Sequence, residues 1–339
     1  MNKHTMQELN FSEVKDAILK KQAPFPPQFI YFFSDISQED LEKIANVWPQ
    51  VWVERRRGLL EDMENLAEAD TLLYFDDFAR TCLSDADPVA RTTAIRLLWQ
   101  SENEQLVPSL LNLLKQDPEA IVRAAAAIGL GGFVYLGELD ELKQSTYDMI
   151  VQALIDVYLG AEEVLVRRRA LEALGFASHP DIPGFIQTAY ETDDEEWLQS
   201  ALFAMGRTCN RKWAKSILRM FTHPDPEVRY EAVRAAGELE IEDARDYLFE
   251  LLEEGTDDEE MYYAVIWSLT KIGGSGVREL IEVALDQTED AEELNFLGEA
   301  LENLNFTEQV QHFDLMNFDE DELKSMFGDD VEPWSVDDA

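Results

Sequence analysis

Apolar positions along this chain fall into short stretches at helical spacing, and the same turn opens many of them. The clearest copy runs from Asp225 to Gly237 and reads Asp-Pro-Glu-Val-Arg-Tyr-Glu-Ala-Val-Arg-Ala-Ala-Gly. Asp caps the free N–H groups of a new helix, Pro is tolerated in its first turn, and Glu there suits the positive end of the helix dipole. Counted from Arg229, positions −1, +3, +4 and +7 share one face at about 100° per residue. These are Val228, Ala232, Val233 and Ala236. Related copies centre on Arg91, Arg123 and Arg167, and two later ones, at Leu198 and Tyr262, lack the arginine. Degenerate copies centre on Arg55 and Asn295. Successive anchors lie 31–36 residues apart, with one gap of 44. A fixed period in that range predicts a helical solenoid. A leucine-rich helix such as Leu106 to Leu114 lies between copies, so each unit is a helical hairpin that buries its apolar face only by stacking. The predicted fold is all-α, an alpha-alpha superhelix of about eight hairpins: 37–69, 71–100, 105–136, 146–177, 181–208, 211–240, 242–273 and 275–305.

The Asp-Pro-Glu-Val-Arg core at Asp225 to Arg229 and the Asp-Pro-Val-Ala-Arg core at Asp87 to Arg91, each followed by alanine, resemble the HEAT-repeat family. The likeness is strongest to bacterial HEAT-like repeats of the kind also found in phycobilisome lyases, and it covers roughly residues 36–305. It implies a ladder of Asp and Arg between repeats, with Arg91, Arg123, Arg167 and Arg229 as structural anchors. It says little about activity, since function lives in sites grafted on folds.

Flanking segments differ from the repeats. Residues 1–22 read as one amphipathic helix through Met6, Leu9, Val14, Ile18 and Leu19, broken by Pro24, Pro26 and Pro27. Residues 1–35 are therefore expected to cap the stack, with 36–305 as the solenoid. Gly131, Gly132 and Gly137 are expected to interrupt a long helix, with Glu138 to Ser145 as a loop. From Phe306 the texture changes: residues 306–339 hold eleven Asp or Glu and one Lys, interleaved with Phe313, Phe318, Phe327 and Trp334. This composition predicts an acidic, aromatic-containing tail.

The 339 residues carry a net charge of −42. That argues against a nucleic-acid or anionic-membrane surface and permits basic partners. Cys82 and Cys209 fall in different repeats and read as small buried residues, with neither a disulfide framework nor a metal-ligand spacing. No signal-like segment opens the chain and no apolar run approaches 18 residues, so a cytoplasmic protein without a membrane contact is expected.

The search for chemistry ends without a catalytic, cofactor or metal site. His4, His179, His223 and His312 form no zinc-protease pattern, and no P-loop, dinucleotide or nucleophile motif is present. Some HEAT-like proteins bind two irons through His-Glu pairs, but this sequence has no His-Glu dipeptide. A different signal comes from positions +1, +2, +5 and +9, expected to face away from the core into a groove. They hold Arg56, Arg57, Arg96, Arg168, Arg169, Arg207, Arg234 and Lys271 against Glu64, Glu172, Glu231 and Glu238. Phe176, Phe203, Tyr230, Tyr263, Trp267 and Phe296 join them. Arg and aromatic residues are the usual anchors of binding surfaces. The groove set is Arg168, Arg169, Phe203, Arg207, Tyr230, Arg234, Tyr263, Trp267 and Lys271. The ordinary alternative is that these cations pair with acids one turn away or on the next repeat, as Arg168 could with Glu172.

The expected function is noncatalytic protein–protein interaction: a scaffold or adaptor whose groove takes an acidic peptide, with the chain's own tail as one occupant. An acidic exterior that captures a basic partner is a second mechanism. Two rival readings remain at this point: a cofactor-handling protein, from the resemblance to bilin lyases, and a nucleic-acid binder using a locally basic groove.

Overall fold

The computed structural model describes residues 10–256 and 259–312. Among them the chain is all-α, with 17 α-helices, six short 3-10 segments and no strand. It divides into two compact units, Met1–Thr208 and Cys209–Ala339. This division falls within the span 36–305 expected to be one solenoid.

In the first unit α1 (Phe11–Leu19) precedes five hairpins. They pair α2 (Gln38–Val47) with α3 (Val53–Ala69), α4 (Asp76–Cys82) with α5 (Pro88–Leu97), and α6 (Val107–Gln116) with α7 (Ala120–Glu138). Then come α8 (Gln144–Leu159) with α9 (Val164–Leu174), and α10 (Ile182–Tyr190) with α11 (Glu195–Arg207). The second unit holds three hairpins: α12 (Ala214–Arg219) with α13 (Pro226–Glu238), α14 (Arg245–Glu254) with α15 (Glu259–Ile272), and α16 (Val277–Gln287) with α17 (Ala291–His312). Because α17 runs to His312, the change of texture at Phe306 lies inside a helix. The tail beyond it, and the chain before Asn10, lie outside the described residues.

The predicted turn chemistry operates as expected. Asp87, Asp194 and Asp225 accept the N–H of Ala90, Trp197 and Val228 at 3.0, 3.1 and 2.9 Å, capping α5, α11 and α13. At position +3 stand Ala94, Ala126, Ala170, Ala201 and Ala232, all fully buried. Small residues also set the spacing between successive second helices. A Cβ on Gly175 would stand 2.9 Å from Ala204 Cα, and one on Gly237 would stand 2.7 Å from Ser268 Cα. Gly131 meets Ala173 in the same way at 3.2 Å. The expected interruption does not occur: α7 passes through Gly131, Gly132 and Gly137 unbroken, and at Gly131 close approach to α9 is what calls for glycine. α7 is also long and apolar enough to cross a membrane, but more than half of it is buried against its neighbours, as in a core helix.

In the first unit, arginines of one second helix reach acids in the turn that opens the next. Arg56 Nε lies 3.1 Å from Asp85, and Arg57 bonds both oxygens of Asp87 at 2.9 and 2.6 Å. Arg91 clasps Asp117 with two bonds of 2.8 Å, and Arg123 clasps Glu162 at 3.1 and 2.8 Å. Two anchors depart from this ladder. Arg167 donates to the Tyr158 carbonyl and lies over the Tyr158 and Trp197 rings. Arg229 turns back on the carbonyls of His223 and Pro224, its own turn. Cys82 is buried and burial pushes its thiol up, whereas Cys209, expected inside, is exposed with φ 49° at the turn after α11.

Candidate functional site

Residues expected to line the groove occupy the second helix of each hairpin, and the two units use them differently. In the first unit Arg168 is buried, not outward. Position +1 points toward the next second helix, where Arg168 donates to Ser200 Oγ at 2.9 Å and to Glu196 at 2.5 Å. Ser200 in turn donates to buried Glu172, which also accepts from Arg169 at 2.8 and 2.6 Å. Arg168 and Arg169 are thus parts of an internal network between α9 and α11. Arg56 is buried against Asp85 and the Val51 carbonyl, and Arg96 bonds Glu64 at 2.6 and 2.7 Å. The guanidinium of Arg207 lies 4.4 Å from the Phe176 ring and 4.1 Å from that of Phe203. Cation–π contact holds the three side chains together.

The second unit brings the expected residues into one concavity. Gly237 lets α13 and α15 approach closely, and Ser268 donates to the Val233 carbonyl at 3.0 Å. Larger side chains flank this crossing. Tyr230, Arg234 and Glu238 on α13 and Trp267 and Lys271 on α15 surround a cavity of about 190 Å³, with Ala264 and Ser268 also lining it. Tyr263 continues the aromatic wall toward α17: its ring is 4.5 Å from Phe296, which lies 6.2 Å from Trp267. Arg234 lies 5.7 Å from the Tyr230 ring and 3.4 Å from Glu231, and Lys271 pairs with Glu238 at 2.8 Å. All five sequence-predicted residues of this unit are half-buried, as a lining requires.

The surroundings of the two tyrosines raise both phenols. Burial pushes the Tyr230 phenol up against the opposing pull of Arg234. Tyr263 is pushed up to about 12, first by its hydrogen bond to Glu259. Both phenols stay protonated at neutral pH, and Tyr263 donates to Glu259 at 2.9 Å. Among the described residues no group of three or more His, Cys, Asp or Glu side chains is placed to hold a metal ion. Sequence reasoning missed Ser268 and Ala264. The available signal was Gly237, eight residues after its anchor, which calls for a small partner on the facing helix.

Residues 77–148 and 214–302 match the family described as HEAT repeats. The chain carries HEAT repeats over these two stretches. The second of these stretches contains the whole cavity of α13 and α15. Among solved structures, this HEAT-repeat chain is similar to the Escherichia coli protein YibA, at 17% identity and TM-score 0.41, over 84% of this chain and 98% of that one. Human deoxyhypusine hydroxylase in complex with glycerol matches at 12% identity and TM-score 0.34, over 77% and 95%. An engineered protein matches at 16% identity and TM-score 0.35, over 87% and 88%. No curated protein sequence matches the chain.

Proposed function

We propose that this HEAT-repeat chain is a noncatalytic protein-interaction module that holds a segment of a partner protein against the α13–α15 face. HEAT repeats typically mediate protein interactions. The observation that carries the finer reading is the cavity itself: an aromatic recess with two cations at its mouth, in a chain of net charge −42. An apolar side chain of the partner enters between Tyr230 and Trp267. A neighbouring carboxylate then competes with Glu231 and Glu238 for Arg234 and Lys271. One member of each pair, Arg234 and Glu238, is 42% and 46% exposed, so solvent screens both pairs and leaves them open to exchange.

The test is titration of a partner segment recovered from the native host with the full chain, the Arg234→Glu variant and the Trp267→Ala variant. Each substitution should weaken binding about tenfold or more, corresponding to at least about 1.4 kcal/mol. Added salt should weaken it further. Equal affinity for all three chains would overturn the assignment of this face.

A further inference from the structure

Cations of the second unit gather at one edge. Arg211, at the entry to α12, pairs with Glu240 beyond α13 at 3.6 Å. Arg245, the first residue of α14, donates to the Gly273 carbonyl beyond α15 at 2.8 Å. Arg278, in the first turn of α16, donates to Asn305 of α17 at 2.7 Å and to Glu308. Starts of first helices and ends of second helices therefore share this edge, where Lys271 stands in the last turn of α15. Acids stand there too, but the opposite edge is far more acidic. The turns of the last two hairpins, 250–260 and 286–293, hold twelve Asp or Glu and no Lys or Arg.

The chain leaves α17 at the cation-bearing edge. Tyr263 lies against Phe296, and Asn303 donates to Thr270 Oγ1 at 2.7 Å. Both pairs are 33 residues apart, so α17 runs parallel to α15. It ends at His312, nine residues beyond Asn303. Residues 313–339 follow and lie outside the described residues. They hold ten Asp or Glu against one Lys, a net −9, with Phe313, Phe318, Phe327 and Trp334 among them. Repulsion disfavours the acidic turns, so the edge with the cations and the α13–α15 face beside it are the complementary surface for such a segment.

We propose that the chain's own segment 326–330 docks on the α13–α15 face, which rests on the reading of that face as a binding surface. Phe327 enters between Tyr230 and Trp267, and Asp329 and Asp330 face Arg234 and Lys271 in place of Glu231 and Glu238. The cavity there, about 190 Å³, is below the range of small-molecule sites, about 300–1,000 Å³, and suits one anchoring side chain. Length selects the segment. At the 33-residue offset Trp267 is level with Ala300, twelve residues before the end of α17, so the return takes about 18 Å. Crossing to α15 adds a helix spacing of about 8–10 Å. Phe318, with Asp319 and Glu320 beside it, is six residues past His312 and reaches about 20 Å when fully extended, which leaves nothing for the reversal. Phe327 is fifteen residues past His312 and reaches about 50 Å. Attachment raises the segment's effective concentration to the order of millimolar, so a contact too weak for a free peptide is made within the chain. An external partner then binds by displacing it.

The test uses the purified full chain with a benzophenone amino acid at position 327. After irradiation the cross-links are mapped by mass spectrometry. A cross-link to α13 or α15 within one chain is expected, with a yield unchanged by dilution. Asp329→Lys with Asp330→Lys should lower that yield about tenfold, the size of a lost charge-assisted contact. Adding Arg234→Glu and Lys271→Glu to the same chain should restore it, since the signs are then exchanged. Cross-links confined to other elements, or joining two chains, would overturn the proposal. So would a yield indifferent to Asp329→Lys and Asp330→Lys, or one that the exchange does not restore. Failure here is separable from failure of the partner reading. A missing tail cross-link, with a partner titration that still responds to Arg234→Glu, overturns the tail contact alone. A tail cross-link with a titration that does not respond overturns the partner segment alone.

Discussion

Arg91 and Asp117 form an enclosed rung of the arginine ladder, with side chains 10% and 4% exposed and two bonds of 2.8 Å. Removing one partner strands the other charge inside, so Asp117→Ala is expected to destabilise the chain by about 3–5 kcal/mol in urea unfolding. Arg57→Ala, whose side chain is 44% exposed in its pair with Asp87, should shift the midpoint far less. The acids of the ladder also set a pH dependence. The Arg57 hydrogen bond holds the Asp87 carboxyl below its usual range. Burial is the largest single influence on the Glu162 carboxyl and raises it, but the Arg123 bond, the Glu163 N–H and the Arg123 charge together outweigh it and the net direction is down. Depressed carboxyls contribute stability that is complete above their unfolded values, about 4–4.5, and lost as pH falls through the lower folded values. Unfolding midpoints should therefore drop steeply below about pH 4, and the drop should shrink in a chain carrying Arg57→Ala and Arg123→Ala. At this scale the sequence was legible in part. The Asp caps and core alanines follow from local chemistry. That Arg168 faces inward does not, because it depends on Ser200 and Glu172 arriving from the next hairpin and the next turn.

Between elements, glycine at +8 governs how closely second helices pack. Gly237→Ala places a methyl group 2.7 Å from Ser268 Cα, so α13 and α15 must separate. The expected cost is about 1–3 kcal/mol. Partner binding at the α13–α15 cavity should fall with it. Gly132→Ala is the matching control on α7: nothing lies within 4 Å of the new methyl, and stability should rise by up to about 1 kcal/mol through helix propensity. Hairpin existence and type were readable because the helical period recurs from unit to unit and an Asp cap opens α5, α11 and α13. The path of α7 was not, because a glycine that permits close packing and one that ends a helix look alike until the facing helix is known.

Across the whole molecule, charge outweighs every local effect. With a net −42, self-repulsion opposes compaction. Raising ionic strength from about 0.01 to 0.15 M shortens the screening length from about 30 to about 8 Å. The unfolding midpoint should rise accordingly; a fall would mean that surface ion pairs outweigh the repulsion. The division after Thr208 was not legible in the sequence, because the repeat period continues across it. The candidate face was half legible. Helical spacing put Tyr230, Arg234, Tyr263, Trp267 and Lys271 on one side of two helices. The contacts of Arg234 with Glu231 and of Lys271 with Glu238 are of the kind the ordinary alternative described, an acid one turn away and an acid on the neighbouring repeat.

The most direct test of the α13–α15 face is photo-crosslinking in the native host with a benzophenone amino acid at position 263, on the aromatic wall. The comparison site is position 283 on α16, where Val283 is 53% exposed outside that face. Position 263 should capture one defined segment of a partner protein, Arg234→Glu in the same chain should abolish the capture, and position 283 should not capture that segment. Capture of the same segment from both positions, or capture at 263 that survives Arg234→Glu, would contradict partner binding at this face.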